Sequence, residues 1–147
     1  MTLKQWADNG WLKPHKTSRQ EIGNLLAIAR RDMSDASASD ISADWRFGIA
    51  YNAALKLCTV LLYAESYRPA QSLAHYRTLQ ALPLILGAAR KADADYLDTC
   101  RTKRNTVEYD YIGGATGADA DELLEFAQSL ETNVLTWLRT KHSELAP

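Results

Sequence analysis

Apolar residues recur every three or four positions along most of the chain, which is the period of an amphipathic helix. In the stretch TSRQEIGNLLAIARRDM, residues 17–33, Ser18 and Glu21 stand at capping-box spacing, so a helix is predicted to begin there. Between about Ile41 and Ser66 apolar residues fall on nearly every face, which indicates a central, mostly buried helix. A polar stripe remains on it at helical spacing: Asn52, Lys56, Thr59 and Tyr63.

The second half of the chain contains three more helical stretches. In SLAHYRTLQALPLILGAAR, residues 72–90, Pro83 is expected to kink or divide the helix. A fourth helix is predicted to begin near Asp93 or Asp95 and to end at the paired glycines 113–114. The last helix, ADELLEFAQSLETNVLTWLRTKH, has an apolar face and a basic end that suits the helix dipole.

No strand pattern is recognised, so the predicted fold is all-α. We expect an antiparallel bundle of about five helices in a single domain, residues 1–147, with its core at about 18–142. Trp6 and Trp11 precede that core. They are interpreted either as an anchor for a partner or as a cap on the open end of the bundle.

Composition and charge narrow the class of protein. Hydrophobic residues make up 46% of the chain and charged residues 24%, as in ordinary soluble domains. The formal net charge is -1, whereas dedicated nucleic-acid-binding proteins usually have a basic excess. Any contact with RNA or DNA would therefore need a local basic patch.

The sequence contains no pattern typical of a disulfide-bonded exported protein, a metal site or a membrane-spanning segment. Cys58 and Cys100 lack disulfide-framework spacing, and the histidines lack metal-ligand spacing. No run approaches the roughly 20 apolar residues of a membrane span, and the first residues do not resemble a signal peptide. The expectation is a cytoplasmic protein with reduced thiols, no metal, no cofactor and no membrane partner.

The fourth helix carries an arginine in an unusual place. Placed on a helix, one face carries Leu97, Cys100, Arg104, Val107 and Tyr111. That face is apolar and should pack against the bundle. Burying an unpaired guanidinium would cost several kcal/mol, so a partner is expected for Arg104.

Three partners for Arg104 remain open. Glu108, one turn further on, can form an ion pair, although the order of the two charges is the less favourable one. Asp44, from the head of the central helix, can form a buried structural pair. Alternatively, the stripe borders a cleft or a subunit interface in which the guanidinium receives an anion such as phosphate.

Other polar groups surround Arg104 in the sequence. Arg101 and Lys103 add positive charge, and Asn105 together with the nearby tyrosines offers hydrogen bonds and aromatic faces for RNA bases. Such a cluster can bind RNA. Judged by residues alone, a structural salt bridge is the more common role of a buried arginine.

The stretch RNTVEYDY, residues 104–111, resembles the signature of HEPN domains, in which an arginine, often followed by a polar residue, precedes a histidine by four to six positions. Arg104 takes the arginine position and Asn105 the polar one. Tyr109 stands where the histidine is expected, and Tyr111 stands at a tyrosine position found in one subset of the family. The likeness extends over roughly 20–140, where SADWRFGIAYNAALKLCTVLLYAESYRP and AHYRTLQAL are similar to helices of small bacterial HEPN proteins.

The resemblance implies a homodimeric helical bundle whose two arginine motifs face each other across a cleft. Active members are metal-independent endoribonucleases, and many are toxins paired with a nucleotidyltransferase antitoxin that can modify the tyrosine, here Tyr111. Arg104, Asn105 and Tyr109 are the catalytic candidates. The residues expected to contact RNA or a nucleotide are Arg101, Lys103, Asp110 and Tyr111.

This sequence departs from the signature at the histidine, which leaves the catalytic activity open. A phenol with a pKa of about 10 is a poor general base near pH 7. On a regular helix Arg104 and Tyr109 also point about 140° apart, whereas Arg104 and Tyr111 are nearly aligned. Binding of RNA or a nucleotide is therefore expected, with ribonuclease activity weak or degenerate.

Asp44, Asn52 and His75 are candidates for the surroundings of the site, and His75 can serve as a substitute acid or base. The more common role of such a histidine is at a helix surface or cap. The alternatives to RNA binding are a non-catalytic helical interaction module, and a partner or antitoxin of a nucleotidyltransferase.

Overall fold

Helices form most of the described part of the chain, together with two short strands. The computed structural model describes residues 1–109 and 112–147, and only the backbone of 107–109. The elements in chain order are α1 (Leu3–Asp8), β1 (Leu12–Pro14), α2 (Arg19–Ala36), α3 (Ala43–Ala64), β2 (Tyr67–Pro69), α4 (Ala74–Gln80), α5 (Leu82–Leu86), a 3-10 turn (Ala88–Arg90), α6 (Lys91–Tyr109) and α7 (Gly117–Lys141). The predicted all-α class is confirmed.

Helix α3 is the centre of the bundle. It packs against α2, α6 and α7, and residues on nearly all its faces are buried, including Leu57 and Leu61. By length and composition α3 could cross a membrane, but 72% of its apolar window is buried inside the protein. Such burial is typical of the core helix of a soluble protein, since the apolar side chains find their partners within the fold.

Local signals set the ends of the long helices. The Ser18 side chain accepts a hydrogen bond from the Glu21 backbone N–H, which confirms the predicted start of α2. The Glu21 carboxylate pairs with His15 and Thr17. Thr116 caps α7 through a complete capping box with Asp119.

Pro83 divides the third helical stretch, as predicted. Helix α4 ends at Gln80, and α5 begins at Leu82 with Pro83 in its first turn, where the missing N–H needs no partner. Leu79 and Leu82 on either side of the break are fully buried. The short helices α4 and α5 therefore lie across α3 and α6 instead of extending the bundle.

The N-terminal segment forms a β-ladder that the sequence pattern did not predict. Strands β1 and β2 are antiparallel, and Leu12 pairs with Pro69. Each strand has three residues, which is too short for an alternating pattern to be recognised. Trp6 and Leu12 are buried in a second cluster with Leu62 and Ala81, so the segment caps the bundle.

We expect the interior of α3 to carry much of the stability. Leu57 is fully buried, so Leu57→Ala should lower the free energy of unfolding by about 2–5 kcal/mol. The control is Leu73→Ala, because Leu73 is 59% exposed and its truncation should change stability by about 0.5 kcal/mol or less. Urea unfolding followed by circular dichroism measures both, and equal losses would contradict the central position of α3.

Candidate functional site

A cleft between α4 and α6 brings together several of the predicted site residues. Its volume is about 370 Å³, and we call it the α4–α6 cleft. The lining residues are Gln71, Leu73, Ala74, His75, Tyr76, Arg101 and Asn105. One wall therefore comes from the start of α4, and the other comes from the arginine-rich part of α6.

The start of α4 sets the shape of the first wall. Leu73 has a φ of 55°, in the left-handed region, and α4 begins without a side-chain cap. This sharp turn places His75 in the first turn of α4. Thr78 and Leu79 are buried beneath it, and the Arg77 guanidinium carbon lies 3.8 Å from the centre of the Trp11 ring. The N-terminal segment thus contacts the helix that carries His75.

Arg104 lies on the inner side of the second wall. Leu97 and Cys100, which precede it on the predicted stripe, are buried, and Arg104 itself is half-buried. Its guanidinium carbon is 5.7 Å from the centre of the Tyr51 ring in α3. Its Nη1 atom donates to the side-chain oxygen of Asn105 at 3.3 Å. These contacts place Arg104 beside the cleft and hold Asn105 next to it.

Arg101 lines the cleft directly. Its Nε atom donates to the Asp98 carboxylate at 2.8 Å, and its guanidinium carbon lies 5.9 Å from the centre of the Tyr76 ring. The Asp98 bond occupies one of the five guanidinium N–H donors. The remaining N–H groups of an arginine in this position can donate hydrogen bonds to phosphate oxygens.

His75 lies at the rim, and the protein covers part of its ring. Its ring centre is 6.5 Å from that of Tyr51. Burial lowers the pKa of His75, and the positive charges of Arg104, Lys56 and Arg101 lower it further. The imidazole is therefore neutral at pH 7 and can accept a proton or a hydrogen bond.

The cleft is locally basic although the chain is not. Three cations, Arg104, Lys56 and Arg101, act on the same imidazole. The formal net charge of the protein is -1. Positive side chains thus gather around His75, and the Asp98 carboxylate offsets part of the charge of Arg101.

Lys103 is placed elsewhere, although the sequence suggested that it adds charge near Arg104. Its Nζ atom bonds the Asp119 carboxylate at 2.7 Å and lies 5.6 Å from the centre of the Phe47 ring. The hydrogen bond from Lys103 holds the pKa of Asp119 at about 2. Lys103 therefore joins α6 to the start of α7 and does not line the α4–α6 cleft.

Asp44 and Asn52 also have other contacts. The Asp44 carboxylate accepts the backbone N–H groups of Gly113 and Ala115 at 2.7 and 3.0 Å, and these bonds lower its pKa. Asn52 donates to the buried Asp32 carboxylate of α2 at 2.6 Å. Asp44 therefore fastens the α6–α7 loop to α3, and Asn52 fastens α2 to α3.

The structure describes the HEPN-like stretch only in part. The side chains of Val107, Glu108 and Tyr109, and the whole of residues 110–111, lie outside the described part of the chain. The predicted roles of Tyr109, Asp110 and Tyr111 therefore stay predictions. So does the pairing of Glu108 with Arg104.

Sequence reasoning overlooked Tyr51 as a site residue. It contacts both Arg104 and His75 and is 1% exposed. Burial raises the pKa of its phenol, so the hydroxyl keeps its proton and remains a donor. A tyrosine inside an otherwise apolar helix was the available signal, because a buried phenol normally needs a hydrogen-bond partner.

Metal and thiol chemistry find no support in the described residues. No group of three or more His, Cys, Asp or Glu side chains there is arranged to hold a metal ion. Burial raises the pKa of Cys58 to about 12 and that of Cys100 to about 11, so both stay protonated at pH 7. Both cysteines are interpreted as core residues.

Comparison of the chain with protein-family models, curated proteins and solved structures found no match. The resemblance to HEPN domains therefore remains a prediction from the quoted residues.

The His75 environment makes a prediction for its titration. We expect a midpoint below 6.5, because burial and the neighbouring cations disfavour the protonated ring. Arg104→Gln removes one cation and should raise the midpoint, whereas Lys103→Gln should leave it unchanged. NMR of the His75 imidazole against pH measures all three proteins. A wild-type midpoint above 6.5, or no response to Arg104→Gln, would contradict the described site.

Proposed function

We propose that this protein is a HEPN-like domain that binds RNA or a nucleotide in the α4–α6 cleft. The observation that carries the proposal is the convergence of Arg101 and Asn105 from α6 with His75 from α4 on one cleft, with Arg104 beside it. Guanidinium groups suit phosphate oxygens, and Tyr76 offers an aromatic face from the α4 wall of the cleft. The HEPN-like signature and the lining of the cleft thus share the same turn of α6.

Cleavage of RNA is a separate part of the proposal. His75 is the group in the cleft that can exchange a proton near pH 7, a role for which a tyrosine at the motif histidine position is poorly suited. If the domain is a ribonuclease, His75 would take the proton of the 2′-hydroxyl. The 2′ oxygen would attack the adjacent phosphorus and expel the 5′ oxygen, which takes a proton from water. No metal is needed for this step.

The binding proposal is tested with a fluorescently labelled single-stranded RNA. Loss of a charged contact to phosphate should weaken binding about tenfold for Arg101→Ala and for Arg104→Ala. The matched control is Lys103→Ala, which removes the same charge from the same helix but lies outside the cleft. Fluorescence anisotropy measures the affinities, and circular dichroism confirms folding.

The same samples separate binding from cleavage. In single-strand binding each lost phosphate contact should also reduce the salt dependence, by about 0.7 in the slope of log K against log salt. Denaturing gels report cleavage, which His75→Ala should remove without removing binding. Equal losses for Lys103→Ala and Arg101→Ala, or no binding by the wild-type protein, would refute the proposal.

A second candidate function, a protein-interaction module, is supported by an exposed apolar patch. Trp45 is 62% exposed, Ile112 is 94% exposed, and Ile41 is exposed nearby in sequence; we call these three residues the Trp45 patch. The bond between Asp44 and the Gly113 N–H brings the neighbours Trp45 and Ile112 to the same end of the bundle. Exposed apolar patches often mark interfaces. We propose that this patch contributes to a homodimer or to binding of a nucleotidyltransferase partner in the cytoplasm.

The oligomeric state tests the Trp45 patch. We expect light scattering after size-exclusion chromatography to give twice the 16.4 kDa of the chain for the wild type. Trp45→Asp should give the monomer mass, because a charge on the patch opposes apolar contact. Leu73→Asp, an equally exposed leucine at the cleft, should remain dimeric. A wild-type monomer at all concentrations would refute the dimer.

A further inference from the structure

Tyr51 contains a buried hydroxyl whose bonding is incomplete. The residue is 1% exposed, and its hydroxyl has no hydrogen-bond partner among the described residues. Burial of an unsatisfied hydroxyl is unfavourable, and most buried tyrosines have a partner. A phenylalanine would fill the same space without that cost. The hydroxyl therefore calls for an explanation beyond packing.

Tyr51 lies close to residues of the α4–α6 cleft. The ring of Tyr51 contacts the guanidinium of Arg104 and the imidazole of His75. The charges of Arg101 and Arg104 both act on its phenol. His75 is exposed while Tyr51 is buried, so the imidazole lies on the outer side of the phenol.

The polar groups around Tyr51 are mostly donors. Arginine side chains donate only, and the Asp98 carboxylate and the Asn105 oxygen already accept bonds from Arg101 and Arg104. In the described part of the chain, neither of these two acceptors bonds the Tyr51 hydroxyl. A phosphate group supplies several acceptor oxygens, and its charge suits the two guanidinium groups.

We propose that the Tyr51 hydroxyl is the inner donor of the phosphate site, bonding a phosphate oxygen of RNA or a nucleotide held between Arg101 and His75. The inference rests on the proposed RNA- or nucleotide-binding function and adds a residue from the core helix α3. It also explains why a hydroxyl without a partner is present at this buried position. The free protein carries an unsatisfied buried hydroxyl, and the ligand supplies its missing acceptor.

The test is Tyr51→Phe, which removes one oxygen atom and keeps the ring. We expect the variant to be as stable as the wild type or more stable, because an unsatisfied hydroxyl is lost. Its affinity for the labelled RNA should fall about tenfold, as for a hydrogen bond to a charged group. Tyr63→Phe is the matched control: it lies on the same helix, and Tyr63 packs against His15 away from the cleft.

Thermal unfolding and anisotropy together give distinguishable outcomes. Equal or higher stability with weaker binding supports the inference. Unchanged binding by Tyr51→Phe, while Arg101→Ala still loses affinity, overturns the inference and leaves the proposed function standing. Clear destabilisation by Tyr51→Phe also overturns it, because the hydroxyl would then have a partner in the free protein. Absence of RNA binding by the wild type overturns both.

Discussion

The apolar surface of α3 governs how the other helices are arranged. A helix that is apolar on nearly every face must be covered on all sides, and α2, α6 and α7 cover it. The remaining side is closed by the short helices α4 and α5 together with the N-terminal segment. Pro83 and the left-handed Leu73 let the chain turn sharply enough to fit this gap.

The same constraint creates the candidate site. Because α4 lies across α3 and against α6, it brings His75 to the arginines of α6 and leaves a cleft between them. Tyr51 of α3 contacts both Arg104 of α6 and His75 of α4. The core helix thus supports the polar groups from beneath, and low exposure strengthens their electrostatic interactions. The buried phenol of Tyr51 therefore belongs both to the packed core and to the candidate site.

Features set by local physics could be predicted from the sequence. The central helix followed from its apolar pattern, the start of α2 from Ser18, and the division of the third helix from Pro83. The strands β1 and β2 could not be predicted, because three-residue strands have no recognisable period and depend on a partner distant in sequence.

The site was harder to predict because it depends on how each helix is rotated about its axis. Lys103 is one residue from Arg104, yet this step of about 100° directs it to Asp119 instead of the cleft. Asn52 turns to Asp32 for the same reason, while its neighbour Tyr51 contacts Arg104.

Amide chemical-shift mapping of the wild-type protein with RNA tests whether RNA binds in the α4–α6 cleft. Shifts centred on Gln71, His75, Arg101 and Asn105 are predicted; shifts confined to the α2 face, or none, would contradict it.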